Sequence, residues 1–171
     1  GDITEMERML DEYLDFARGE GGENSQSVDL GTIIREAATS ARRGRNVAKE
    51  RVVVSAPGGI ELAVRRNALR RCINNLIDNA LKHGTTAQVA LSASERFVDI
   101  TIDDDGPGIP EARREEAFRP FHRLDEGRNL QSGGVGLGLA IARDIARAHG
   151  GDLTLHQSAL GGLRALIRLP V

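Results

Sequence analysis

Tryptophan is absent from this chain, and aromatic residues make up only 3% of its 171 positions. That excludes a base-stacking platform for nucleic acid and leaves the core to Leu, Ile, Val and Ala. There is one cysteine, Cys72. A lone thiol makes no intrachain disulfide and fits a reducing compartment; in the apolar stretch 69–76 it reads as a buried structural residue. Neither sign of charge dominates, with a formal net charge of −2, so nucleic acid and anionic membrane are not expected partners. No apolar run is long enough to cross a bilayer, and no signal peptide opens the chain. The glycine-rich stretches hold no Gly-Lys-Ser/Thr, which rules out a P-loop.

What is present suits one compact domain: 40% of residues are hydrophobic, a globular composition. Residues 3–18 read as an amphipathic helix with apolar positions at Ile3, Met6, Leu10, Tyr13 and Ala17. The abrupt helical start at Asp2 suggests a piece of something longer. Its apolar stripe needs a partner surface, met by self-association or by docking on the rest of the chain. Residues 19–27, rich in Gly and Glu, read as a linker. Asp29 is placed as the N-cap of a helix over 30–43. Strands are expected over 50–55 and 60–63, then a helix over 67–83. Strict alternation predicts strands over 88–94 and 97–103. A short helix is expected over 110–117, a polar loop over 119–133, a helix over 138–149 capped by Gly150-Gly151, and closing strands over 152–158 and 163–169. The elements mix without βαβ alternation. The expected fold is therefore α/β: a two-layer sandwich with helices on one face of a mixed sheet.

Three motifs carry chemistry. In Asn74-Asn75-Leu76-Ile77-Asp78-Asn79-Ala80-Leu81-Lys82-His83, Asn75 and Asn79 share one helical face with Lys82. An amide oxygen is a hard ligand suited to Mg²⁺, and a lysine places a point charge near a phosphate; a solvated polar face is the plain alternative. In Asp103-Asp104-Asp105-Gly106-Pro107-Gly108-Ile109, three carboxylates at a strand end repel unless compensated. An ionised Asp accepts from an exocyclic amine such as adenine's, and the glycines let the backbone approach a flat ring. The alternatives are an acidic turn or a Ca²⁺ loop, and Pro107 and Ile109 break the ligand spacing of the latter. In Gly134-Val135-Gly136-Leu137-Gly138-Leu139, glycines open into a helix, an arrangement that favours phosphate. No strand precedes them, so this is not a dinucleotide fingerprint.

These motifs, in this order, resemble the catalytic and ATP-binding domain of bacterial sensor histidine kinases, within the gyrase–Hsp90–histidine kinase–MutL ATPase superfamily. Asn75–His83 is similar to the N box, residues 104–109 to the G1 box, Phe118-Arg119-Pro120-Phe121 to the F box and residues 134–139 to the G2 box. The F-x-P-F form and the closing Gly161-Gly162-Leu163…Leu169-Pro170 are most similar to osmolarity-sensing kinases of the EnvZ type. The resemblance implies a Bergerat-type ATP-binding fold over residues 28–171, with ATP and Mg²⁺ as ligands. It implies that Asn79 ligates Mg²⁺ and that Lys82 and Arg123 contact phosphates beside His83. Asp104 would receive the adenine amine over Gly106, Gly108 and Ile109, with Phe118 nearby. Gly134, Val135, Gly136, Leu137, Gly138 and Leu139 would form the lid and its hinge. Asn75 stands where hydrolysing relatives carry a catalytic Glu, and with Lys82 and Arg123 it completes the catalytic set.

The family phosphorylates a histidine in a His-Glu/Asp-x-x-x-Pro motif. None of the histidines here, at 83, 122, 149 and 156, sits in one. Residues 1–18 instead resemble the second helix of the dimerisation bundle that bears it. The implied function is transfer of the ATP γ-phosphoryl group to a histidine on a dimerisation domain absent from this chain, for onward transfer to a response regulator Asp. The implied setting is a cytoplasmic domain, with an inner-membrane sensor as one expected parent, itself a homodimer. The rival expectations are a degenerate nucleotide- or partner-binding module without phosphotransfer, and an anti-sigma serine kinase.

Overall fold

The computed structural model describes residues 7, 23–119 and 138–171. The expected opening helix, apart from Glu7, lies outside the described residues. Among the described residues from 23 onward, seven strands and three α-helices occur in the order β1 (Gln26–Asp29), α1 (Leu30–Arg45), β2 (Val52–Ser55), β3 (Glu61–Val64), α2 (Arg66–His83), β4 (Ala87–Ala93), β5 (Phe97–Asp104), α3 (Gly138–Ala148), β6 (Asp152–Gln157) and β7 (Leu163–Pro170). Five strands form one sheet in the order β2-β4-β5-β7-β6, with β2 parallel to β4 and the other pairs antiparallel. The sheet is mixed, as the missing βαβ alternation predicts.

Alternation decides which face is covered. Val89 and Leu91 of β4, Val98, Ile100 and Ile102 of β5, and Ala165, Ile167 and Leu169 of β7 all point to one side and are buried. They meet the apolar stripes of the three helices, among them Ile33, Ile34 and Ala37 of α1, Leu69, Ile73 and Leu76 of α2, and Ile141 and Ile145 of α3. Residues on the other side are exposed or half-buried apart from Asp103, as an antiparallel sheet allows. There, directly opposed Asp99–Arg168 and Asp103–Arg164 pairs lie across β5 and β7 at 2.8 and 2.9 Å. Arg168 also lies over the Phe97 ring, 5.2 Å from its centroid.

The helix ends are closed by local backbone chemistry. Gly150, at φ +82, is left-handed; its N–H donates to Arg147 O and that of Gly151 to Ala146 O, which satisfies the last carbonyls of α3. Asn46, at φ 52, ends α1 in the same way. His149 joins two helices. Its Nε2 accepts from the Arg65 N–H at 3.0 Å, and its Nδ1 lies 2.8 Å from Ile145 O, so the proton belongs on Nδ1 and the ring ties the end of α3 to the start of α2. Cys72 is buried as expected, its Sγ 3.4 Å from Ala142 O, and burial pushes its thiol up to about 12.

Two expectations are corrected. No α-helix covers 110–117: Pro110 is extended at ψ 142, and two 3-10 turns follow, Glu111–Arg113 and Glu116–Phe118. The N–H groups of Arg113, Ala117 and Phe118 each reach back three residues, while Arg114 Nε donates to Ile109 O. Asp29 stands at the N-cap of α1 as expected; its carboxylate accepts from the Thr32 hydroxyl and the Gly59 N–H, stitching α1 to the β2–β3 turn. The stretch expected as linker ends in a strand, since Gln26 and Ser27 pair with Val64 and Ala63. Upstream, Glu23 accepts from the Asn67 and Ala68 N–H groups at the exposed start of α2.

Candidate functional site

Helix α2 lies between its two neighbours, and its polar residues divide accordingly. Arg70, Asn74 and Asp78 form a row that faces α1: Asn74 Nδ2 donates to Ser40 Oγ at 2.8 Å, and Arg45 Nε pairs with Asp78. Cys72, Asn75 and Asn79 form another row, and the Cys72 contact with Ala142 turns that row toward α3. Asn75 and Asn79 are half-buried, as is Lys82, and His83 is exposed. The Nδ2 of Asn75 is buried and has no hydrogen-bond partner among the described residues. A buried amide left unpaired costs about 1–3 kcal/mol, so an arrangement that keeps one points to a group still to arrive.

The strand-end carboxylates are compensated one by one. Asp103 pairs with Arg164, which raises the arginine's already high pKa further. Asp105 accepts from the Thr86 and Thr85 N–H groups, which hold its carboxyl below the ordinary 3.8. Asp104 is buried at 3% exposure. Its Oδ1 accepts from the Gly106 and Leu163 N–H groups at 2.9 and 3.0 Å. The carboxylate is thus held in a fixed orientation by backbone donors, a favourable setting for an ionised acceptor.

Glycines pack this corner too tightly for side chains. A Cβ on Gly106 would fall 2.5 Å from His83 O, and one on Gly84 would fall 2.7 Å from Asp105 Oδ1. On Gly162 it would overlap Asp104 Oδ1 and sit 2.6 Å from Gly106 N. Gly108 is left-handed at φ +70 beside Gly162 O. The end of α2, the end of β5 and the start of β7 therefore close on one another around Asp104.

Of the residues singled out from sequence, this corner brings together His83, Asp104, Gly106 and Gly108. Asn75, Asn79 and Lys82 lie along the same helix end. Ile109 is half-buried against the core. Phe118 is buried in that core, with the Arg143 guanidinium 4.0 Å from its ring centroid and Arg143 also paired with Glu115 at 2.8 Å. Gly138 and Leu139 open α3. Arg123, Gly134, Val135, Gly136 and Leu137 lie outside the described residues. Sequence reasoning missed Gly84 and Gly162 as parts of the site, and Asp105 as the clamp on Thr85 and Thr86. Their only signal was a glycine at a helix stop and a glycine pair in a hairpin.

Two observations fit a nucleotide here: an Asn75 amide without a partner among the described residues, and a buried carboxylate oriented beneath a glycine-built backbone.

A family profile, the histidine kinase-, DNA gyrase B- and HSP90-like ATPases, matches residues 64–171. The chain belongs to that family. It is 39% identical over 171 residues to the sensor histidine kinase GtrS of Pseudomonas aeruginosa, covering 99% of this chain and 34% of that protein. It is 34% identical over 170 residues to the sensor histidine kinase CpxA of Escherichia coli, covering 97% and 37%. The chain thus spans about a third of the length of these curated relatives. Among solved structures, the ATP-binding domain of PrrB from Mycobacterium tuberculosis superposes with a TM-score of 0.69 at 32% identity, over 86% of this chain and 98% of that one. Full-length ShkA shares the fold at a TM-score of 0.77 and 22% identity, over 99% of this chain and 36% of that one. The expected α/β sandwich is the one seen. Among the described residues no helix is long and apolar enough to cross a membrane.

Proposed function

We propose that this chain is the ATP-binding catalytic domain of a sensor histidine kinase, transferring the γ-phosphoryl group of Mg·ATP to a histidine on a dimerisation domain that the chain itself does not carry. The carrying observation is Asp104, buried at the meeting of α2, β5 and β7 with its carboxylate oriented by the Gly106 and Leu163 N–H groups.

In this reading Asp104 accepts the adenine amino group, and Gly106, Gly108 and Ile109 shape the surface beneath the base. Asn79 holds Mg²⁺, which when bound neutralises charge on the phosphates. Lys82 and Arg123 add cations, and His83 flanks the triphosphate. Gly134 to Leu139 form the lid, and Phe118 belongs to the ATP-binding set. Phosphoryl transfer asks the protein mainly to position groups and neutralise charge. The acceptor imidazole nitrogen attacks the γ-phosphorus in line, the bond to the β–γ bridging oxygen breaks, and ADP leaves. Asn75 carries an amide, which cannot act as a general base, so water is poorly activated and ATP is spared until a histidine arrives. Residues 1–18 are assigned to the bundle, and the catalytic domain, expected from residue 28, takes in the strand that starts at Gln26 and runs to residue 171. The parent is a homodimer that passes its phosphoryl group to a response regulator Asp.

Calorimetric titration with a non-hydrolysable ATP analogue tests this, with Mg²⁺ and with chelator. Binding that needs Mg²⁺ is expected, weakened ~10–100-fold in Asp104→Asn: the amide oxygen can still accept from the Gly106 and Leu163 N–H groups, but its NH₂ then faces the adenine amine donor to donor, at a cost of about 1.5–3 kcal/mol. No binding by the native chain, or equal binding by the variant, contradicts the assignment. A supplied dimerisation domain bearing the acceptor histidine should then be labelled in trans, and the chain alone should not.

A further inference from the structure

Of the three strand-end carboxylates, Asp103 serves the sheet and Asp104 the candidate pocket. Asp105 serves neither. It is exposed, yet its Oδ1 accepts from the Thr85 N–H at 2.6 Å and the Thr86 N–H at 3.1 Å. The Thr86 and Thr85 N–H groups hold its carboxyl below the ordinary 3.8, so at neutral pH the acceptor is ionised and the bonds are charge-assisted. The Thr85 carbonyl is held as well, by Arg51 Nε at 2.6 Å.

These bonds fix how α2 ends. Gly84 closes its last turn, the N–H donating to Ala80 O at 2.8 Å. A Cβ on Gly84 would fall 2.7 Å from Asp105 Oδ1 and 3.0 Å from Gly106 N. The carboxylate comes this near the helix end only because residue 84 has no side chain. Gly84, Thr85 and Thr86 alone separate His83 from Ala87, which pairs directly with Asp104. The grip on Thr85 and Thr86 therefore sets where the last turn of α2, with Lys82 and His83, stands relative to Asp104.

Asp104 does not depend on this grip, since the Gly106 and Leu163 N–H groups orient it. The corner thus has two halves held by different carboxylates. Lys82 and His83 belong to the half that Asp105 holds. A lysine meets a phosphate as a point charge, so its benefit falls as it moves away.

We propose that Asp105 is a positioning residue for the phosphate end of the nucleotide: by gripping the Thr85 and Thr86 N–H groups, its carboxylate holds Lys82 and His83 at the distance from Asp104 that a bound triphosphate needs. The proposal rests on the nucleotide reading and adds to it a side chain that touches no part of the ligand.

The test is an NMR titration of the isotope-labelled chain with adenosine and with a Mg²⁺-loaded non-hydrolysable ATP analogue, for the native chain, Asp105→Ala and Asp105→Asn. Asp105→Ala should bind the analogue about fivefold more weakly, the effect of roughly one hydrogen bond, and should bind adenosine as the native chain does. Asp105→Asn keeps an oxygen that accepts from both N–H groups, so it should stay within about twofold of native affinity for both ligands. Amide exchange at Thr85 and Thr86, read on the same samples, should quicken in Asp105→Ala and not in Asp105→Asn. Asn74→Ala, which loosens α2 from α1 instead, should leave both affinities unchanged and so controls for a general loss of stability. Native affinity of Asp105→Ala for the analogue overturns the proposal, as do equal losses for the two ligands. A loss in Asp105→Asn as large as in Asp105→Ala also overturns it, because the charge of Asp105 would then act on the ligand itself. Failure of the native chain to bind either ligand removes the nucleotide reading, and the proposal with it.

Discussion

Asn74 and Asn75 are neighbours on one helix with the same side chain, yet the fold treats them differently. Asn74 turns toward α1 and spends its amide on Ser40. Asn75 turns toward α3 and keeps a buried Nδ2 with no partner among the described residues. A helix turns about 100° per residue, so adjacent positions serve different surfaces. One amide joins two helices, and the other is left unpaired. The same division runs through the strand-end carboxylates: Asp103 and Asp105 are tied to a neighbouring strand and a corner, while Asp104 is oriented at the centre of the candidate pocket.

The comparison breaks most severely at Gly162. A Cβ there would collide with Asp104 Oδ1, so Gly162→Ala should cost about 1–3 kcal/mol of stability from overpacking and abolish nucleotide binding. Urea unfolding and calorimetry on the same sample read both; a variant that binds normally would show that the corner is not part of the pocket. A smaller effect is expected at Asn74→Ala, which removes one exposed hydrogen bond. It should lower stability by about 0.5 kcal/mol and leave nucleotide affinity unchanged.

The smallest effect is in acid. Asp105, held by the Thr86 and Thr85 N–H groups, and Asp99, held by Arg168, both have carboxyls below the ordinary 3.8. A depressed carboxylate adds stability that is complete above its unfolded value and is lost as pH falls through the folded one. The melting temperature should therefore decline as pH drops below 3.8. Asp105→Asn should flatten part of that decline, and an unchanged slope would show that the clamp on the α2–β4 corner adds nothing.

Much of this was legible in the chain. Val98, Ile100 and Ile102 alternate with polar residues, and that period fixes a half-buried strand wherever it occurs. The order of the motifs, and Asp104 within the second, pointed to the corner where α2, β5 and β7 meet. The missed parts depend on distant partners. Gln26 and Ser27 carry no apolar alternation, and they become a strand only because Val64 and Ala63 lie alongside. Gly162 meets Asp104 only once β7 has paired with β5, and no local pattern records that approach. Residues 110–117 looked helical in composition, but Pro110 is extended and the 3-10 turns that follow carry Ala117 and Phe118 into the core.

The central claim is that the α3-facing row of α2 is shaped for nucleotide. Measuring affinity for a Mg²⁺-loaded non-hydrolysable ATP analogue side by side for Asn75→Ala and Asn74→Ala tests it most directly, with unfolding followed on both. Asn75→Ala should lose affinity by about tenfold, one charge-assisted contact or more, and should unfold no more easily than the native chain, since it removes an unpaired buried amide. The opposite pattern, with Asn75→Ala destabilised and binding normally, would contradict the account.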